Sequence, residues 1–207
     1  MRQTITLRRM VESRKTVIAP GAYDAFSAML VEKAGFDAIY VGSFATEAAL
    51  LGKPDLALMG KVERLWIARN IVKAVNIPVI ADAEEGFGNA LGVIETVRDF
   101  EAAGAAAIHL DDERIPSRCP MLSGLPYTPL LSVDEMCGKI EAAVHTHATG
   151  LEVALHPPLR DDEHAQIRPL QLEPIEVGDV QRQFGLEQPH QHQVRQVRGH
   201  DHHAADH

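Results

Sequence analysis

The chain has 207 residues, a formal net charge of −9 and two cysteines, Cys119 and Cys137. The acidic balance excludes a phosphate-backbone binder, which needs a basic face, and leaves small-molecule chemistry. Two unevenly placed thiols support neither a structural zinc nor a disulfide framework. With nothing at the N-terminus that reads as a signal peptide or spanning segment, the expected address is the cytoplasm, with no membrane and no nucleic-acid partner.

The first predicted element is a helix over 6–15, followed by a short buried strand at 16–20 that Pro20-Gly21 ends. A helix over 23–34 has Ala22, Phe26, Met29, Leu30 and Ala34 as its apolar positions and stops at Gly35, which tolerates a left-handed cap. A second strand at 38–41 leads into a long connection. Then come a helix at 62–75, a strand at 77–81, a helix at 90–103 stopped by Gly104, and a strand at 105–110. Ser132-Val133-Asp134-Glu135 is a capping box that opens a helix to about residue 144, and 151–155 reads as a further strand ended by Pro157-Pro158.

This βα alternation implies right-handed crossovers and a parallel sheet buried on both faces. The expected fold class is α/β, a partial (β/α)8 TIM barrel of the first four to five βα units over residues 1–150. A tail over 151–207 holds eight of the eleven histidines and eight glutamines, where the first 150 residues contain only Gln3. It buries too little apolar surface to offset its ordering entropy, so it is expected to be largely disordered.

Two apolar runs end in acids: Ile77-Pro78-Val79-Ile80-Ala81 in Asp82-Ala83-Glu84-Glu85-Gly86-Phe87-Gly88-Asn89, and residues 105–110 in Asp111-Asp112-Glu113. Side chains alternate across a strand, so Asp82 and Glu84 leave on one side and meet a single cation. Hard oxygen ligands at the mouth of a parallel barrel suit Mg²⁺, which keeps several waters and needs one or two direct carboxylates. His109, inside an apolar strand, reads on its own as a core histidine bonded to backbone. Cys137 reads as core.

Six ordered motifs carry a resemblance: Ala19-Pro20-Gly21-Ala22-Tyr23-Asp24, Tyr40-Val41-Gly42-Ser43, Leu51-Gly52-Lys53-Pro54-Asp55, the 82–89 loop, Ile108-His109-Leu110-Asp111-Asp112 and Arg118-Cys119. Over roughly residues 4–147 the chain resembles the isocitrate lyase and phosphoenolpyruvate mutase superfamily, on its methylisocitrate-lyase-like side. The resemblance implies a Mg²⁺-dependent barrel, homo-oligomeric, that makes or breaks a C–C or P–C bond in a small 2-oxo or 2-hydroxy carboxylate. It assigns Asp82, Glu84 and Asp111 to the metal, Tyr40, Gly42, Ser43, Asp55 and His109 to the substrate, and Cys119 with Arg118 to catalysis.

The chain also departs from that pattern. Glu84 stands where the family has aspartate, Gly42-Ser43 where it has serine-glycine, and Ser117-Arg118-Cys119-Pro120-Met121 where the lyase branch has Lys-Arg-Cys-Gly-His. Two readings therefore compete. One is a Mg²⁺-dependent carbon–carbon lyase, with phosphonomutases and oxaloacetate-type decarboxylases as relatives that share an enolate. In it the metal stabilises that charge and the thiol protonates the enolate carbon. The other is a non-catalytic, truncated or frameshifted barrel half whose sequence changes character near Gly150.

Overall fold

In a computed structural model, residues 3–13, 16–117, 119, 128–146 and 151–155 are described. Arg118, Pro120, Met121 and the tail from 156 onward, with its expected disorder, lie outside the described residues. The elements are α1 (Gln3–Glu12), α2 (Ala25–Lys33), β1 (Ile39–Val41), α3 (Ser43–Leu51), α4 (Lys61–Ala74), β2 (Val79–Asp82), α5 (Ala90–Ala103), β3 (Ala107–Leu110), α6 (Val133–Thr146) and β4 (Glu152–Leu155).

All four strands run parallel in the order β1-β2-β3-β4, each beside its neighbour in sequence. That stepwise order, with helices α2, α4, α5 and α6 packed one against the next, is the walk of a partial (β/α)8 barrel. Residues 20–22 add one more position beside β1. Tyr40 N donates to Pro20 O at 3.0 Å and Ala22 N donates to Tyr40 O at 2.8 Å. The sequence places this strand at 16–20, whereas the pairing lies at its end. Pro20 has no N–H to give, so the first donor on the segment that reaches β1 is Ala22.

Local signals fix the helix ends. Asp24 Oδ1 accepts from Ser27 N while Ser27 Oγ accepts from Asp24 N, a reciprocal cap that starts α2 at Ala25 rather than Tyr23. Asn89 caps α5 through the N–H groups of Leu91 and Gly92, and Gly104 closes it at φ 90, a left-handed cap that glycine adopts without a Cβ clash. The long connection after β1 is not irregular: it holds α3. Thr46 and Glu47 are buried there while Phe44, Leu50 and Leu51 are exposed, so the helix is inverted in polarity and has no inward apolar stripe to read.

The strands sort their side chains by alternation. Ile39, Val41 and Val79 pack outward with Ile67 and Ile71 of α4, and Ala81, Ile108 and Leu110 pack with Val93, Val97, Phe100, Met136 and Ile140 of α5 and α6. Ile80 and Ala107 instead join Leu7 of α1, with Tyr40 against them. That layer closes one end of the strands with apolar atoms. One step further along, the positions in register become Asp82 and His109, both buried.

Candidate metal centre

Asp82 ends β2, and both of its oxygens are held. Ser43 N donates to Oδ2 at 3.0 Å and Glu84 N donates to Oδ1 at 2.9 Å. β2 ends at Asp82, but alternation holds one residue further: Ala83 packs on the core side with Ala81, and its N–H still donates to His109 O at 3.0 Å. Glu84 has φ 49, in the left-handed region, and a turn folded back onto Asp82 aims its carboxylate. Asp111 follows β3 and arrives from the adjacent strand. The three acids offer oxygens that all lie within 4.8 Å of one another.

Their electrostatics call for a cation. The Glu84 carboxyl is pushed up to about 8, by burial first and by the Asp82 charge second, against the pull of Arg64. Asp111 is also raised, through burial and then the charges of Asp82 and Glu84. Among the described residues the counter-ion of Glu84 is shared: Arg64, on α4, contacts Glu84 Oε1 and Glu47 Oε1 with the same nitrogen. Two buried carboxylates and one half-buried, with incomplete neutralisation and hard oxygen donors, fit a divalent cation.

A pH dependence follows. A carboxyl near 4.5 in the unfolded chain and near 8 in the folded one binds its proton more tightly when folded. Its contribution is therefore full below about 4.5 and is lost as pH rises through about 8, on the order of a few kcal/mol. Urea melts without divalent ions are expected to give lower stability at pH 8.5 than at pH 6. A flat profile would contradict the Glu84 environment.

Beside the triad, Ser43 Oγ donates to Asp55 Oδ2 at 2.7 Å. Asp55 is itself raised by burial, in spite of that bond. Cys119 N donates to Asp55 O at 3.2 Å, which puts the thiol-bearing segment against the Asp55 turn; the cysteine is half-buried and in no disulfide. Gly42 has a steric reason to be glycine: an added Cβ would sit 2.7 Å from Tyr40 Cε1. Tyr40 is held well above the usual phenol range by burial and by the acids, and its hydroxyl shares a hydrogen bond with His109 Nδ1 at 2.8 Å. The other ring nitrogen of His109, Nε2, lies 3.3 Å from Asp111 Oδ1. His109 is thus both a strand-core residue and a neighbour of the triad.

Sequence reasoning missed the groups that hold these acids in place. Glu47 is fully buried and accepts from the N–H groups of Leu56, Leu58 and Met59, so it organises the turn that carries Asp55. Arg64 also donates to Thr46 Oγ1. Lys139, on α6, donates to the Glu85 carbonyl at 2.9 Å.

The family model for phosphoenolpyruvate phosphomutase matches residues 7–156. The chain is 42% identical over 146 residues to 2,3-dimethylmalate lyase of Eubacterium barkeri, covering 70% of this chain and 50% of that protein. It is 40% identical over 153 residues to 2-methylisocitrate lyase of Aeropyrum pernix, with coverages of 74% and 48%. Among solved structures, a phosphonopyruvate hydrolase in complex with oxalate and Mg²⁺ superposes with a TM-score of 0.67 at 33% identity, over 75% of this chain and 52% of that one. The chain therefore spans about half the length of the relatives it matches. Parallel strands, the acidic mouth and the matched span agree, and the chain belongs to the phosphoenolpyruvate phosphomutase family, within the isocitrate lyase and phosphoenolpyruvate mutase superfamily.

Proposed function

We propose that this chain carries the Mg²⁺ site of a carbon–carbon lyase acting on small 2-oxo or 2-hydroxy carboxylates. The observation that carries this reading is the convergence of Asp82, Glu84 and Asp111 at the ends of two adjacent parallel strands. Mg²⁺, when bound, supplies Lewis-acid stabilisation of negative charge on substrate oxygens. The protein's own share is positional. Asp82, Glu84 and Asp111 hold the ion, Asp55 and Ser43 line the approach to it, and the Tyr40–His109 pair fixes Asp111 from the side. Gly42 lets the Tyr40 ring pass beneath. Cys119, beside the Asp55 turn, is the proton donor to carbon in this reading, with Arg118 as the neighbour that tunes its thiol.

The names of the relatives supply the substrates to assay: 2-methylisocitrate, 2,3-dimethylmalate and, for P–C cleavage, phosphonopyruvate. Mg²⁺-dependent release of a 2-oxo acid from either of the first two, lost in Cys119→Ser, is the expected result. Cleavage of phosphonopyruvate alone would move the chain to the hydrolase and mutase side of the family. Binding of Mg²⁺ and oxalate without any turnover would mark it as a non-catalytic relative.

A further inference from the structure

The turn that aims Glu84 is held from outside itself. Glu84 and Phe87 both have positive φ, at 49 and 55, conformations that cost free energy in residues with a Cβ and persist when surrounding contacts impose them. Three main-chain contacts do so. Asp111 N donates to Glu84 O at 2.7 Å, Thr96 Oγ1 of α5 donates to Gly86 O at 2.9 Å, and Lys139 Nζ of α6 donates to Glu85 O at 2.9 Å. Lys139 is 2% exposed and reaches across 54 residues of sequence to make that bond. Burying an ammonium is costly, and this one ends on a carbonyl in the turn next to the triad.

On the reading that the triad binds a divalent cation, we propose that Lys139 is a positioning residue for it. Its ammonium, through the Glu85 carbonyl, keeps Glu84 in the left-handed conformation that points the carboxylate at Asp82 and Asp111. Thr96 does the same through the next carbonyl. Neither side chain touches the ion; each acts on the backbone that carries a ligand.

Charge and position make opposite predictions here, which makes the proposal testable. If Lys139 acted only as a nearby positive charge, removing it would strengthen cation binding. If it positions Glu84, removing it weakens binding, by about 10–100-fold for an outer-shell partner. The full chain is titrated with Mn²⁺, bound ion being read from loss of the aqueous Mn²⁺ signal in electron paramagnetic resonance, and with Mg²⁺ by calorimetry. Lys139→Met should bind both ions at least about tenfold more weakly, Lys139→Arg should retain most of the affinity, and Thr96→Val should weaken it with no change of charge. A purely structural lysine would lower the melting temperature and leave the affinity of the folded protein unchanged. Equal or tighter binding by Lys139→Met overturns the proposal, and if that variant does not fold, unchanged affinity in Thr96→Val does so. A wild-type protein that binds neither ion overturns the cation reading and this inference with it.

Discussion

Asp82→Asn is expected to weaken Mg²⁺ binding at least about 100-fold, the upper end of what loss of a mere outer partner costs. The substitution keeps the shape and removes the charge, so the effect belongs to the ligand and not to a cavity. It also leaves a mismatch. Ser43 N and Glu84 N both donate to the carboxylate, and an amide offers one oxygen and one NH₂, so one of these N–H groups then faces another donor. Relief of the Asp82 charge should lower the Glu84 carboxyl from about 8, since that charge is the second-largest cause of its rise. Calorimetry on both proteins decides the first point and carboxyl NMR the second. Equal affinities would place the ion elsewhere.

Arg64→Met is expected to cost about 3–5 kcal/mol of folding stability, the usual penalty for stranding a buried charge. Arg64 and Glu47 are 4% and 0% exposed, and Glu84 is buried as well, so removal of one cation leaves two acids without their partner. Glu84 escapes by keeping its proton. Glu47 loses its counter-charge while its carboxylate still accepts three main-chain N–H groups from the 56–59 turn. Urea unfolding monitored by circular dichroism measures the loss, and a change below about 1 kcal/mol would mean that the ion pair is dispensable. The double variant with Glu47→Gln should lose less than the sum of the single ones, as residues sharing one network do.

The groups that sequence reading found are those at strand ends, where an apolar run breaks into acids. The fold was legible for the same reason: apolar periodicity, Gly104 and the capping box at Ser132 mark boundaries that the structure keeps within a few residues. Strand alternation pairs Asp82 with Glu84 and holds as far as Ala83, but the positive φ of Glu84 that completes the turn has no signal in the sequence. Arg64 and Lys139 were overlooked although a pattern marks them. Arg64 lies in line with Ile67, Ala68 and Ile71, and Lys139 with Met136, Ile140 and Ala143, each a cation on the buried stripe of a helix. A charge in that place needs an internal partner, which is the signal. Their partners were invisible because Glu47 lies on a helix whose polarity is reversed, and a carbonyl acceptor such as that of Glu85 has no sequence signature at all.

Asp55 is joined to the acidic triad along two separate paths. One runs through Ser43, whose hydroxyl donates to Asp55 and whose N–H donates to Asp82. The other leaves Leu56 N, passes through the Glu47 carboxylate to the Arg64 guanidinium and ends at Glu84. Since Glu84 N returns to Asp82, the two paths close into a circuit. A circuit differs from a chain in what one cut does: with Ser43 replaced by alanine the hydroxyl contact is gone, yet Asp55 stays tethered through Glu47 and Arg64. The distance between Asp55 and the three acids Asp82, Glu84 and Asp111 is thereby set twice over, and a drift in either half is opposed by the other.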